Sequence, residues 1–82
     1  MPITTPYHIK IAPAVNRAIR MFTLKNQKLA IKLIEALSVN PRPPGAVKIE
    51  GLIGLYRQNI GHIHLIYKVE EQEVLVLLIL TR

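Results

Sequence analysis

Leu55-Tyr56-Arg57-Gln58-Asn59-Ile60-Gly61-His62-Ile63-His64-Leu65-Ile66-Tyr67-Lys68-Val69 reads as two strands folded back on each other at a glycine. Gly61 can take positive φ, and Gly-X is a favoured two-residue hairpin turn. With Gly61-His62 as that turn, Ile60 pairs with Ile63, Asn59 with His64, and Arg57 with Ile66. Paired residues share a sheet face, and so do alternate residues along one strand. One face then carries Arg57, Asn59, His64 and Lys68. The other carries Tyr56, Ile60, Ile63, Leu65, Tyr67 and Val69, an apolar surface fit to be covered by helices. Gln58 breaks the segregation: this register puts it on the core side, at the sheet margin, unless a bulge shifts it.

Upstream, Tyr7, Ile9 and Ile11 alternate with His8 and Lys10, the pattern of a half-buried strand. Pro13 suits the first turn of a helix, where its missing N–H costs nothing. Val15, Ala18, Ile19 and Phe22 then form one apolar stripe against Asn16, Arg17 and Arg20. Thr23 is the expected N-cap of a second helix. In that helix Lys25, Lys28, Lys32 and Glu35 mark a wet face, and Ala30, Ile31, Ile34 and Leu37 a buried one. Asn40-Pro41-Arg42-Pro43-Pro44-Gly45 stops it, because prolines cannot continue a helix.

Residues 47–50 follow as a strand, then a turn between Gly51 and Gly54, then the hairpin. Glu70-Glu71-Gln72 makes a polar turn into a last strand over 73–80. Seven apolar residues in a row, 74–80, suit a strand buried on both faces or an edge that a partner covers. The fold class expected is α+β: a two-helix hairpin on one face of a small curved antiparallel sheet, in the order β-α-α-β-β-β. Residues 1–82 read as one domain, with 1–6 a flexible N-terminal segment.

Composition narrows the function classes. The 82 residues contain no cysteine, which excludes disulfides and thiolate metal sites. Three histidines without aspartate or cysteine make a poor ligand set, so neither a metal nor a cofactor is expected. There is no secretory leader pattern and no apolar run of the roughly 18 residues a membrane span needs, so a cytoplasmic protein is expected. Eleven Lys and Arg against five acidic residues give a net charge of +6. That balance suits a nucleic acid, or an acidic protein that masks the basic surface.

Several of these segments together resemble the RelE-like branch of the RelE/ParE toxin superfamily. Asn40-Pro41-Arg42-Pro43-Pro44-Gly45-Ala46-Val47-Lys48-Ile49-Glu50-Gly51 is similar to the family's N-P-R-P-P-G-A-x-K-L-x-G segment. Gly54-Leu55-Tyr56-Arg57 resembles its G-L-Y-R, and Ile60-Gly61-His62-Ile63-His64-Leu65-Ile66-Tyr67-Lys68-Val69 its V-G-D-Y-R-V-I-Y-x-V. The resemblance runs from about residue 7 to residue 82. It implies the toxin of a type II toxin-antitoxin module, held by a cognate acidic antitoxin in a hetero-oligomer. Such toxins enter the ribosomal A site and cleave mRNA without a metal, the RNA's own 2′-hydroxyl attacking the adjacent phosphorus. The protein supplies cations for the developing charge and a group that moves protons.

By position, the resemblance makes Arg57, His64 and Arg82 the catalytic candidates, with Asn59, Lys48, His62 and Lys68 as RNA-binding residues. Arg57 matches the first basic residue of the family's Y-R-x-R, and Arg82 the arginine closing its last strand. Asn59 and His64 stand where relatives carry further basic residues. An imidazole can compensate there by moving a proton near neutrality. Relatives continue into a short tail with a tyrosine, which this sequence, ending at Arg82, is not expected to supply. Two other readings compete: a weakened or inactive RelE-fold protein that only binds a partner, and a gyrase-directed ParE-like toxin. The short span available for both helices, between Ala12 and Val39, favours the RelE-like branch over the ParE-like one.

Overall fold

His8–Ile11 forms the first strand, β1, and is followed by two helices, α1 (Pro13–Arg20) and α2 (Leu24–Val39). The computed structural model describes residues 6–82; the expected flexible segment lies, apart from Pro6, outside the described residues. Pro13 occupies the first turn of α1. Thr23 caps α2, its hydroxyl accepting a hydrogen bond from the Asn26 N–H at 3.2 Å. Four strands follow: β2 (Val47–Lys48), β3 (Leu55–Ile60), β4 (Ile63–Glu70) and β5 (Glu73–Thr81). The meander thus has one strand more than β-α-α-β-β-β, because residues 47–48 pair separately as a short edge strand.

The strands form one sheet in the order β1-β5-β4-β3-β2. Strands β2 to β5 pair antiparallel, as expected, and β1 joins β5 in parallel. Sequence periodicity fixes which face a side chain takes. It does not fix strand direction, which follows from the path of the helical connection. The hairpin register is the expected one, with Arg57 opposite Ile66, Asn59 opposite His64, and Ile60 opposite Ile63.

The helices cover one side of the sheet. Val15, Ala30, Leu33, Ile34 and Leu37 pack there against Ile63, Leu65, Tyr67, Val69, Val74, Val76 and Ile79. Ile31, expected in the core, is 49% exposed, and Leu33 holds the buried position instead. Residues 30, 33, 34 and 37 follow the i, i+3, i+4, i+7 stripe of a helix, whereas 31 falls to its side. The apolar run 74–80 is not buried on both faces, and it is an edge only in part: β1 pairs with residues 73–76, whereas 78–80 pair with β4 alone. Only its first part, through Val76, lies between β1 and β4. A bulge shifts its register, Ile66 pairing with Leu78 and the next residue, Tyr67, with Val76. Val74, Val76 and Ile79 therefore face the core, while Leu78 and Leu80 remain 42% and 52% exposed on the helix-free side.

Gly54 closes the turn before β3. Its φ is +78°, and a Cβ there would stand 2.9 Å from the Val69 carbonyl oxygen. The Val69 N–H in turn donates to the Gly54 carbonyl at 2.8 Å. Gly54→Ala is expected to cost about 1–3 kcal/mol through backbone strain. A lowered denaturant midpoint would register it, and an unchanged midpoint would show that the turn relaxes freely.

Candidate functional site

The helix-free face of the hairpin carries an open groove of about 460 Å³. Arg57 and Asn59 reach it from β3, His64 and Ile66 from β4. Leu78, Leu80 and Thr81 line it from β5, and Arg82 stands just beyond that strand. Apolar and polar side chains line it side by side. This follows from the strand alternation that sends Leu65, Tyr67 and Ile63 the other way.

Asn59 and His64 are cross-strand partners, and their side chains meet, His64 Nδ1 lying 2.8 Å from Asn59 Oδ1. An amide oxygen only accepts, so this contact is a hydrogen bond in the tautomer that carries the proton on Nδ1 and leaves Nε2 bare. Arg57 is exposed and belongs to neither ion pair found among the described residues, which are Lys10–Glu73 and Lys68–Glu70. Its guanidinium is therefore available to an anion. The Arg82 backbone N–H donates to the His62 carbonyl at 2.9 Å, tying this residue to the hairpin tip.

The structure brings together Arg57, Asn59, His64 and Arg82, and leaves three other sequence candidates outside the groove. Lys48 pairs with Tyr56, and its neighbour Val47 with Arg57. Alternation thus gives Lys48 the helix-side face rather than the face of Arg57. His62 sits exposed in the turn and does not line the groove. Lys68 shares the sheet face of Arg57 but lies 2.8 Å from Glu70, with both side chains substantially exposed. This contact holds the Glu70 carboxyl below its ordinary range. Leu78 and Leu80 were missed as groove residues, since a run of apolar residues carries no alternation to show which of them face out. Among the described residues no cluster of three or more potential metal ligands is found.

The proline-rich segment is fastened to the other face. Tyr56 and Tyr67 stack with centroids 5.9 Å apart. The Tyr67 hydroxyl donates to the Pro41 carbonyl at 2.7 Å, and Arg42 Nε donates to the Tyr56 hydroxyl at 3.0 Å. The Arg42 guanidinium also lies 5.6 Å from the Tyr56 ring centroid. Both tyrosines are thus structural, and the segment and the hairpin form one unit. Gln58 keeps the expected register without a bulge. Its Oε1 is buried without a hydrogen-bond partner, and its amide lies under Gly45, where an added Cβ would be 3.8 Å away.

No family model matches the chain, and no curated protein does. Solved structures do match. A chain of the toxin-antitoxin complex RelBE2 from Mycobacterium tuberculosis superposes with a TM-score of 0.81 at 19% identity, over 94% of this chain and 99% of that one. A chain of the archaeal RelE-RelB complex from Pyrococcus horikoshii gives 0.83 at 24% identity, over 94% and 96%. The chain therefore has the RelE-like fold, with two helices on a five-stranded mixed sheet.

Proposed function

We propose that this chain is the toxin of a type II toxin-antitoxin module and acts as a metal-independent endoribonuclease on mRNA in the ribosomal A site. One observation carries the reading: Arg57, Asn59, His64 and Arg82 line a single groove on the sheet face that the helices leave free. Arg57 and Arg82 are placed to hold a phosphate and to meet the charge that develops on its oxygens. In this reading His64 Nε2 takes the proton of the attacking 2′-hydroxyl. The side chains of Ile66, Leu78 and Leu80 offer a sugar or base apolar contact without hydrogen-bonding groups.

The proposed partner in the cytoplasm is a cognate acidic antitoxin, forming a hetero-oligomer with the toxin. A net charge of +6 favours an acidic chain. A second, largely apolar groove beside edge strand β1, lined by Ile9, Ile11, Ile19, Ile31 and Ile34, offers such a chain somewhere to bury apolar side chains.

The test is cleavage of mRNA on programmed ribosomes by the purified chain, with no metal added. Cuts within the A-site codon are expected. If none occurs, the enzymatic reading fails, leaving a protein that only binds its partner. That second reading is favoured by the groove's sparse positive charge: the only cationic side chains among the described residues lining it are those of Arg57 and Arg82, and Lys68 on the same sheet face is paired with Glu70. Growth arrest on expression, relieved by co-expressing an acidic neighbour, would support the module whichever reading holds.

A further inference from the structure

We infer that Asn59 is a positioning residue that fixes the tautomer of His64, leaving Nε2 free to accept the 2′-hydroxyl proton of the bound RNA. The chemistry rests on the endoribonuclease reading above. The geometry stands apart from it.

Asn59 and His64 face each other across β3 and β4, close to the Gly61-His62 turn, where the strands are tightly registered. The contact of 2.8 Å joins Nδ1 to an oxygen that cannot donate. Neutral imidazole in water favours the tautomer with Nε2 protonated. A fixed acceptor at Nδ1 reverses that preference and holds the ring plane against rotation. The partner is also uncharged. A carboxylate would orient the ring equally well, but it would place a negative charge beside the phosphate path and favour the imidazolium over the neutral base. The charged side chains lining the same groove are Arg57 from β3 and Arg82 beyond β5, and among the described residues no acidic side chain lines it. His62 lies at the turn, and Lys68 and Glu70 pair with each other farther along β4.

In the step served, the 2′-oxygen bonds to the adjacent phosphorus as its proton passes to His64 Nε2. The bond from phosphorus to the 5′-oxygen breaks, and that oxygen takes a proton from water. The products are a 2′,3′-cyclic phosphate and a 5′-hydroxyl, and the imidazolium returns its proton to solvent.

Two readouts on the intact chain test this. Nitrogen-15 spectra of the histidine rings report which nitrogen is protonated, and single-turnover cleavage on programmed ribosomes is followed against pH. Wild type is expected to show His64 protonated at Nδ1 in its neutral form. Asn59→Ala should move the ring toward the Nε2-protonated form and slow cleavage roughly 10- to 100-fold, part of the 10²–10⁴ that a positioned base contributes. Asn59→Asp should keep Nδ1 protonated while moving the rising limb of the pH profile to higher pH. A wild-type ring protonated at Nε2 overturns the inference, as does an Asn59→Ala variant with unchanged tautomer and rate. Absence of cleavage by wild type removes the endoribonuclease reading and the acceptor role with it, whereas the ring spectrum judges the Asn59–His64 geometry separately.

Discussion

Arg57→Ala is expected to slow mRNA cleavage by about 10²-fold or more while leaving the fold intact. A hydrogen bond to a charged group contributes roughly 1.5–3 kcal/mol, and a donor aimed at developing charge about 2.7–4 kcal/mol, so one lost guanidinium accounts for that factor. The fold should survive because Arg57 is exposed, makes no ion pair among the described residues, and contributes nothing to the core. Arg57→Lys should fall between, since an ammonium keeps the charge but loses the fork that grips a phosphate in two places. Lys48→Ala and Lys68→Ala provide the contrast. The first side chain points to the other face, and the second is occupied by Glu70. Both variants should cleave within a few-fold of wild type, a difference no larger than an exposed ion pair is worth. If Arg57→Ala cleaves as fast as these two, with unchanged circular dichroism and melting, the groove is not where RNA is cut.

The contrast between Arg57 and Lys48 also marks how far the sequence could be read. The hairpin was legible residue by residue, because a Gly-X turn fixes the register and period-two alternation then assigns every side chain to a face. The same rule separates Lys48 from Arg57, but only once Val47 is known to pair with Arg57. That pairing depends on the 49–54 turn, whose geometry local patterning does not set. Ile31 shows the same limit on α2, where two overlapping apolar stripes are possible and the sheet beneath selects the one through Leu33. Leu78 and Leu80 were hidden because a uniform apolar run has no phase, and the bulge at Leu77 sets which residues face out. The parallel partnering of β1 lay beyond any pattern in its four residues. Of the site, the shared face of Arg57, Asn59 and His64 came from spacing in one hairpin, their roles and the inclusion of Arg82 from the family resemblance, and the contact of Asn59 with His64 required coordinates.

Tyr67→Ala is expected to be the most damaging single truncation for stability. The ring is fully buried, stacks on Tyr56, and ties the proline-rich segment to the sheet through the Pro41 carbonyl. Removing a buried aromatic side chain costs about 3–5 kcal/mol, a large share of the 5–15 kcal/mol by which domains are stable. Tyr67→Phe keeps the ring and removes only the hydroxyl. It leaves the Pro41 carbonyl without its donor, at about 1–3 kcal/mol. The hydroxyl also gives a pH signature. Burial pushes Tyr67 up to about 12, from an ordinary value of 10.0. A phenol with a raised folded pKa stabilises the fold fully below the unfolded value and loses that contribution as pH climbs through the folded one. Two pH units correspond to about 2–3 kcal/mol, so wild type should weaken by that amount between pH 10 and 12. Every other ionisable group is common to both proteins. Urea unfolding of wild type and Tyr67→Phe at pH 8 and near pH 12 isolates the term: the gap between them should narrow as pH rises. A gap that stays constant would mean that burial does not hold the Tyr67 hydroxyl neutral, and no gap at pH 8 would mean that its bond to Pro41 is not what docks the proline-rich segment.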